Sequence, residues 1–322
     1  MASSKHFNLK ATADETTGFG TNSSMYGGRL VKKDGRPNIR KSGLKFFERL
    51  SWYHTLIDLP RSKFLALILL GFLLINLLYA LCYYMIGVDH LNGMVAETKS
   101  QKFIEAFFFS AQTFTTVGYG RINPTGYITS MVAAVEALTG LLFFAIATGL
   151  FYARFSRPKA FIRFSESAVI APYKDGIAYM FRLVPFKNNM LTDAEVKVTI
   201  GLVEKENGKE MNRFYPMELE INRINALTLS WTIVHPINDK SPLFNLSKEN
   251  LLEARAEILV YLKAFDETFS NTVVARASYT ADELIVGAKF IPMYHRSPVG
   301  NYTVIELAKL NAMQKVELPV LV

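Results

Sequence analysis

Two long apolar stretches constrain the fold of this 322-residue chain more than any other feature. Residues 64–86 contain no charged side chain, and residues 128–153 contain only Glu136. Each stretch exceeds the roughly 20 residues that an α-helix needs to cross the hydrocarbon core of a bilayer. The remaining sequence is as polar as a soluble domain. The sequence therefore predicts a membrane protein with two spanning helices and a large soluble part.

A glycine-containing segment, Thr-Phe-Thr-Thr-Val-Gly-Tyr-Gly at residues 113–120, lies between the two stretches. It follows residues 103–113, which are apolar and long enough for a half-membrane pore helix. A dehydrated K⁺ needs oxygens in place of its water shell, and stacked backbone carbonyls supply them. Successive carbonyls point one way when ordinary and left-handed backbone conformations alternate, which favours glycine at 118 and 120. We therefore predict a K⁺ selectivity filter formed by Thr115, Thr116, Val117, Gly118, Tyr119 and Gly120.

Within this filter, K⁺ is expected to bind at Thr116, Val117, Gly118 and Tyr119, with the side chains of Val117 and Tyr119 packed behind it. One chain supplies one such loop, so the mechanism predicts a ring of four identical chains. The alternative is an ordinary turn. The position favours the filter, because irregular backbone at membrane depth is tolerated where it lines a water-filled path.

Basic residues lie close to both apolar stretches, and the net charge is +8. By the positive-inside rule this placement puts both termini in the cytoplasm, and we expect a multi-pass protein of the cell inner membrane. The basic side chains would then meet anionic lipid headgroups rather than a nucleic acid. They are Arg29, Lys32, Lys33, Arg36, Arg40, Lys41, Lys45, Arg49, Arg61 and Lys63 before the first span, and Arg154, Arg157, Lys159 and Arg163 after the second.

The chain before the first span divides into two parts. Residues 1–43 are mostly polar and without periodicity, which predicts a mobile tail. Residues 44–60 carry an apolar helical stripe that includes Tyr53 and Ile57, and they predict an amphipathic helix at the inner membrane interface with Trp52 as an anchor. A helix packed on a soluble domain is the alternative. Pro60 is expected to break this helix.

Residues 61–157 form the predicted pore domain, with spans at 64–86 and 128–155. Glu136, at membrane depth, marks either an ion path or a paired buried group. Gly140 provides either a bend or a close helix contact. Tyr152 lies where four helices would converge, so that it forms either a gate that excludes water or an interfacial belt tyrosine.

Residues 158–322 contain short β-rich runs at the spacing of an immunoglobulin-like sandwich. Ser247 predicts the cap of a short helix. His235 is interpreted as a structural histidine. The chain has no nucleotide-binding glycine motif, no close His/Cys cluster and a single cysteine, Cys82. We therefore expect neither an enzyme nor a cofactor, and K⁺ as the permeant ligand.

Six segments of this chain resemble the inward-rectifier potassium channel family, most closely its prokaryotic (KirBac) branch. The filter alone indicates only a potassium channel, whereas the arginine-proline helix end together with the Ile-Val-His and Ser-Pro-Leu stretches makes the resemblance specific to the family. The segments are residues 52–54, 115–120, 152–158, 232–237, 239–243 and 276–279.

The resemblance implies a homotetramer whose pore continues through a cytoplasmic vestibule. Tyr152 falls at the inner-helix gate of the family. A second narrow ring is implied on the loop that includes Phe269, Ser270 and Asn271. The resemblance also implies phosphoinositide binding near the inner leaflet, and inhibition by that lipid in the prokaryotic branch. The candidate lipid-binding residues are Arg154, Arg157, Lys159, Arg61 and Lys63.

Two departures from the family pattern affect the expected function. The cavity acid that traps Mg²⁺ and polyamines in strong rectifiers aligns with Phe144, although an acid at the vestibule aligns with Glu267. We therefore expect weak rectification unless Glu136 substitutes. The family's glutamate–arginine pair behind the filter aligns with Gln112 and Ile122, so that ion pair is missing.

The function that these observations favour is passive, K⁺-selective conduction with Ba²⁺ as a blocker. A poorly selective cation pore is one alternative, since selectivity also depends on how the filter is held. A membrane-anchored sensor module with a vestigial pore is another, and the intact filter argues against it.

Overall fold

A computed structural model describes residues 29–43, 51–206 and 209–319. The chain forms two compact units, one at residues 42–157 and one that combines residues 158–322 with the N-terminal segment up to residue 41. Residues 1–28 of the predicted tail and residues 44–50 of the predicted interfacial helix lie outside the described residues.

Four helices form the described part of the membrane unit: α1 (Trp52–Asp58), α2 (Arg61–Ile86), α3 (Lys99–Phe114) and α4 (Tyr127–Phe155). Helices α2 and α4 are long and apolar enough to cross a membrane. The spans were predicted to begin at residues 64 and 128, but the helices begin at Arg61 and Tyr127. Helix α2 begins earlier because its N-cap is Pro60, so the basic residues Arg61 and Lys63 lie in the first helical turn.

Helix α3 is four residues longer at its start than the predicted pore helix at 103–113. Its N-cap Thr98 forms a capping box with Gln101. The Gln101 amide donates to Thr98 Oγ1 over 3.3 Å, and the Thr98 amide donates to Gln101 Oε1 over 3.2 Å. Two otherwise unpaired amides are satisfied in this way, which stabilises a polar first turn that apolar patterning alone does not reveal.

A two-stranded ribbon joins the loops on either side of the filter region. Strands β1 (Leu91–Asn92) and β2 (Asn123–Pro124) pair antiparallel. Gly93 follows β1 with φ +89°, and a Cβ there would lie 1.8 Å from the Arg121 carbonyl oxygen. Only glycine fits this approach, so the loop that leaves the filter is packed tightly against the loop that leaves α2.

The soluble unit contains two five-stranded sheets. The described strands are β3 (Ile162–Phe164), β4 (Ala168–Tyr173), β5 (Gly176–Pro185), β6 (Leu191–Glu206), β7 (Lys209–Pro216), β8 (Arg223–Ala226), β9 (Trp231–Ile237), β10 (Glu257–Asp266), β11 (Asn271–Thr280), β12 (Leu284–Val286), β13 (Ala288–Phe290), β14 (Tyr294–Arg296), β15 (Thr303–Ile305) and β16 (Met313–Lys315). One five-stranded sheet has the order β12-β4-β5-β3 with β9 paired to β5, and the other has the order β11-β10-β6-β7 with β8 paired to β6. Two small ribbons, β13-β16 and β14-β15, contain the remaining strands of this unit.

The core of this unit lies between the two sheets. Tyr179, Phe181 and Leu183 alternate along β5 and pack in one cluster with Ile200 and Leu262 of the other sheet. The predicted β-sandwich is therefore confirmed. The short helix predicted after Ser247 is also confirmed as α5 (Lys248–Glu253), since the Asn250 amide donates to the Ser247 hydroxyl over 3.3 Å.

Residues 29–31 of the predicted mobile tail form hydrogen bonds to the soluble unit, so the prediction is wrong for these residues. The amides of Leu30 and Val31 donate to the buried Glu257 carboxylate over 2.5 and 3.0 Å. The Arg29 guanidinium binds both carboxylate oxygens of Glu283 at 3.1 and 3.2 Å. These partners lie more than 200 positions away, so the polar composition of the segment gave no sign of them.

Candidate ion-conducting site

The segment that follows α3 has an alternating backbone. Thr116, Gly118 and Gly120 have φ values of +58°, +51° and +84°, while Val117 and Tyr119 remain outside the left-handed region. The prediction named the two glycines, and Thr116 extends the alternation by one step. This is the backbone pattern that a stack of aligned carbonyls requires. A non-glycine residue in this region is uncommon and marks a constrained site.

Hydrogen bonds hold the start of the segment against the end of α3. The Val117 amide donates to the Gln112 carbonyl over 2.9 Å, and the Thr116 amide donates to the Thr113 carbonyl over 3.0 Å. The Thr115 hydroxyl donates to the Ala111 carbonyl over 2.7 Å. The last turn of α3 therefore sets where the predicted filter begins.

The side chains of Val117 and Tyr119 are not covered by their own chain. Val117 is 52% exposed and Tyr119 is 80% exposed. The predicted packing behind the filter is thus not made within the described part of one chain. Exposed large apolar surface of this kind indicates an interface.

An ion pair that the sequence did not suggest lies beside the filter. Arg121, directly after Gly120, approaches Glu105 of α3 at 3.0 Å. Glu105 also accepts the Val95 amide over 3.1 Å. The family's carboxylate–guanidinium pair is missing at Gln112 and Ile122. The Glu105–Arg121 pair nevertheless links α3 to the chain that follows the predicted filter.

Glu136 is fully buried among α2, α3 and α4, so its predicted pore-lining role is contradicted. Its carboxylate accepts the Tyr83 hydroxyl over 2.5 Å and also accepts the Ser110 hydroxyl. Of the two interpretations, a paired buried group is the one that the structure supports. A carboxyl group in an apolar environment is costly unless hydrogen-bonded, and the two hydroxyls supply those bonds.

Gly140 is buried one helical turn after Glu136 and also does not line a pore. A Cβ at this position would lie 1.9 Å from the Phe114 carbonyl oxygen. Close helix packing, rather than a bend, therefore accounts for the glycine. Phe144 and Tyr152 differ, because they are 45% and 74% exposed, so the described residues of one chain do not cover them.

Arg154 makes intrachain bonds where a lipid contact was predicted. Its guanidinium donates to the carbonyls of Leu56, Ile57 and Leu59 over 2.8, 2.8 and 2.7 Å. It also lies 4.4 Å from the centroid of the Phe64 ring. These carbonyls lie at the C-terminal end of α1, where a helix leaves acceptors unpaired and favours a cation. The positive charge of Arg154 does not by itself show whether the side chain binds these carbonyls or a lipid phosphate.

The other basic candidates have freer side chains. Arg157 pairs with Asp58 at 3.0 Å, and both side chains are largely exposed. Arg61 and Lys63 are exposed on the first turn of α2, and Lys159 is exposed in the soluble unit.

The predicted cytoplasmic ring residues lie at the turn between β10 and β11. Phe269 and Ser270 are exposed, and Ser270 has φ +47°. Glu267, the predicted vestibule acid, is also exposed at this turn. The buried Asp266 carboxylate accepts the amides of Thr268 and Phe269 over 2.9 and 3.3 Å. Asp266 was not among the residues predicted from the sequence, although an aspartate two residues before a turn residue commonly organises such a turn. Asn271, the last predicted ring residue, begins β11.

His235 is a satisfied structural histidine, as predicted. Its Nδ1 lies 2.6 Å from the Glu218 carbonyl and its Nε2 lies 2.7 Å from the Ser241 hydroxyl. Burial lowers the pKa of the imidazole.

Comparison with known proteins identifies the family. The model of the inward rectifier potassium channel C-terminal domain matches residues 162–322, and an ion channel model matches residues 68–157. The chain is 34% identical over 277 residues to the inward rectifier potassium channel Kirbac3.1 of Paramagnetospirillum magnetotacticum, which covers 84% of this chain and 91% of that protein.

Two animal relatives are more distant. Identity is 27% over 300 residues to inward rectifier potassium channel irk-1 of Caenorhabditis elegans, covering 86% of this chain and 55% of that protein. It is also 27% over 290 residues to ATP-sensitive inward rectifier potassium channel 12 of Mus musculus, covering 82% and 67%.

The chain therefore belongs to the inward rectifier potassium channel family, and the resemblance seen in the sequence is confirmed. Its fold is a two-helix pore module with a β-sandwich domain, and channels of this family are typically tetramers. The channel relatives and the two apolar helices indicate that the protein resides in a membrane.

Proposed function

We propose that four copies of this chain form a passive, K⁺-selective pore whose filter is the backbone of residues 115–120. The observation that carries the proposal is the alternation of φ at Thr116, Gly118 and Gly120 directly after α3. Carbonyl oxygens of Thr116, Val117, Gly118 and Tyr119 then replace the hydration shell of K⁺. No covalent bond is made or broken.

The uncovered side chains of the filter support a ring of identical subunits. One loop contributes one quarter of a carbonyl cage, and Tyr119 is 80% exposed in a single chain. A neighbouring subunit that covers Val117 and Tyr119 both closes the cage and buries this apolar surface.

Weak rectification follows from the residues available to trap a blocking cation. Phe144 occupies the position where the family's strong rectifiers have an acid, and Glu136 is fully buried. Glu267 is the acid that remains, in the soluble unit. Mg²⁺ and polyamines therefore have one ring of carboxylates to bind instead of two, which lowers their affinity.

Two constrictions gate the pore in this proposal. Tyr152 forms an aromatic ring at the cytoplasmic end of α4, and the loop with Phe269, Ser270 and Asn271 forms the second. Their exposure in a single chain is compatible with side chains that face a shared axis.

Phosphoinositides inhibit the channel through the basic residues beside the spans. Both termini are cytoplasmic, and the inner membrane supplies the anionic leaflet. Arg157, Lys159, Arg61 and Lys63 have exposed side chains for lipid phosphates. Arg154 instead holds the end of α1 close to α4.

Uptake of ⁸⁶Rb⁺ into K⁺-loaded liposomes that contain the purified protein tests the proposal. We expect uptake that Ba²⁺ blocks, that excess external Na⁺ leaves unchanged, and that added phosphoinositide reduces. Uptake that Na⁺ abolishes would indicate a poorly selective pore. Absence of uptake in liposomes both with and without anionic lipid would favour a vestigial pore.

A further inference from the structure

Four fully buried polar residues form a cluster inside the membrane unit. They are Asn76 and Tyr83 of α2, Ser110 of α3 and Glu136 of α4. Polar groups at membrane depth are costly unless they bond to one another, and they mark functional positions. The filter mechanism described above uses none of the four.

The Glu136 carboxyl group joins three helices. Tyr83 of α2 donates to Oε2 over 2.5 Å, and Ser110 of α3 donates to Oε1. The Ser110 hydroxyl also lies 3.0 Å from Asn76 Oδ1, and the Asn76 amide group donates to the Phe72 carbonyl over 2.7 Å. A short network thus links the first span, the pore helix and the second span through one side chain.

Helices α3 and α4 make a second close contact one helical turn closer to the filter. Glu136 and Gly140 are four residues apart on α4, and their partners Ser110 and Phe114 are four residues apart on α3. Gly140 meets the Phe114 carbonyl so closely that a Cβ would lie 1.9 Å away. Residues four apart share one face of a helix, so both contacts lie on one line.

The filter directly follows the end of α3 at which these two contacts lie. Phe114 is the last residue of α3, and Thr115 is the first residue of the filter. Gln112, between Ser110 and Phe114, accepts the Val117 amide over 2.9 Å. A slip of α3 along α4 would therefore displace the carbonyl cage directly.

We propose that Glu136 is a positioning residue for the selectivity filter. Its hydrogen bonds to Ser110 and Tyr83 fix α3 against α2 and α4, and this position sets the K⁺-selective geometry of residues 115–120. The inference rests on the proposed filter function. It assigns Glu136 a role in discrimination between K⁺ and Na⁺, without contact to the ion.

Two substitutions separate hydrogen bonding from charge. In Glu136→Gln the amide oxygen accepts from Tyr83 and the NH₂ group donates to Ser110, whose proton turns to Asn76 Oδ1, so the three helices stay linked. Glu136→Leu keeps the approximate volume and removes this acceptor from both hydroxyls, so that Ser110 bonds only to Asn76 and the buried Tyr83 hydroxyl loses its bond to residue 136. An unpaired buried hydroxyl costs enough to change an equilibrium about tenfold.

The K⁺/Na⁺ permeability ratio from reversal potentials of reconstituted channels is the readout. We expect Glu136→Gln to stay within about twofold of the wild type, and Glu136→Leu to lower the ratio about tenfold. Thr139→Val is the matched control. It removes the 3.0 Å contact between Tyr79 and Thr139, which links α2 to α4 without α3, and we expect the ratio to be unchanged.

The outcomes distinguish this inference from the proposed function. If the wild type is not K⁺-selective, the filter assignment fails. If the wild type is selective and Glu136→Leu is equally selective, the positioning role is wrong. If Glu136→Gln is as damaging as Glu136→Leu, the charge rather than the hydrogen-bond geometry is required, which also overturns the proposal.

Milder variants decide the question if Glu136→Leu does not assemble. We expect Ser110→Ala to lower the permeability ratio more than Tyr83→Phe does, because Ser110 lies on the helix that carries the filter. A wild-type ratio in both variants would contradict the proposal.

Discussion

The two units of this chain differ in whether a single copy buries their large apolar side chains. In the soluble unit, large side chains such as Tyr179 and Phe181 are fully buried between the sheets of the same chain. In the membrane unit, Tyr119 of the proposed filter is 80% exposed, and many apolar residues of α2 and α4 are exposed as well. A sandwich core forms within one copy, whereas the proposed filter needs several copies to enclose an ion.

The units also differ in what surrounds their buried polar groups. In the soluble unit, Asp266 binds the amides of the turn that directly follows it, whereas Glu257 binds the amides of Leu30 and Val31 more than 200 positions away. In the membrane unit, buried Glu136 connects three helices. Water is absent from a bilayer core, so side-chain hydrogen bonds there hold helices in position with little competition.

The largest expected effect comes from a glycine change in the filter. Gly118 has φ +51°, where a Cβ is strained by about 1–2 kcal/mol in each of four subunits. Gly118→Ala should therefore abolish K⁺-selective uptake, measured as Ba²⁺-sensitive ⁸⁶Rb⁺ flux. Gly176→Ala in the soluble unit is the control, because it also has open space around its Cβ but no positive φ. Equal loss in both variants would show that the filter conformation is not the cause.

The next effect tests which basic residues meet lipid. Arg157→Gln combined with Lys159→Gln removes two charges of the proposed lipid site, each worth about 1 kcal/mol. We expect the phosphoinositide concentration for half-inhibition of ⁸⁶Rb⁺ uptake to rise about thirtyfold. Arg154→Lys, which keeps the charge but not the fork of donors to α1, should leave this concentration nearly unchanged and lower the melting temperature. The reverse pattern would make Arg154 the lipid ligand.

A third prediction concerns the side of α4 that we propose to face the pore. Phe144→Asp should strengthen block by internal spermine about five- to tenfold, because a carboxylate in the cavity attracts a polyvalent cation. Current–voltage relations in planar bilayers measure this effect. Phe144→Tyr is the control for altered packing against Phe114, whose ring centroid lies 6.1 Å away. Unchanged spermine block in Phe144→Asp would mean that this residue does not face the cavity.

The smallest effect tests whether the N-terminal segment belongs to the soluble unit. Glu257→Ala leaves the amides of Leu30 and Val31 without their acceptor, which should lower the free energy of unfolding by about 1–3 kcal/mol. Thermal unfolding followed by circular dichroism measures the loss. Glu253→Ala on the exposed face of α5 is the control, and equal melting temperatures for the two variants would contradict the assignment.

Local patterns in the sequence predicted the elements that depend on local chemistry. The spans follow from uninterrupted apolar residues, and the left-handed positions at 118 and 120 follow from glycine. The cap at Ser247 follows from its position before a helical run. These features need only neighbours in the chain, so that one sequence is sufficient to find them.

The contacts that hold the site were not predictable in the same way. Glu136 has partners 26 and 53 positions away, and nothing local identifies Ser110 and Tyr83 as donors. The contact of Gly140 with Phe114 likewise depends on how α3 and α4 pack. Arg154 was predicted to bind lipid because its charge and its place beside the span are visible in the local sequence. The carbonyls at the end of α1 that it binds are about 95 to 98 positions away and are not.

The central claim is that this chain forms a K⁺-selective pore through residues 115–120. The most direct test is the reversal potential of the reconstituted wild-type protein in a planar bilayer with K⁺ on one side and Na⁺ on the other. The account predicts a reversal potential close to the limit for K⁺ permeation alone, and a Ba²⁺-sensitive current. A Ba²⁺-insensitive current that reverses near zero would contradict it.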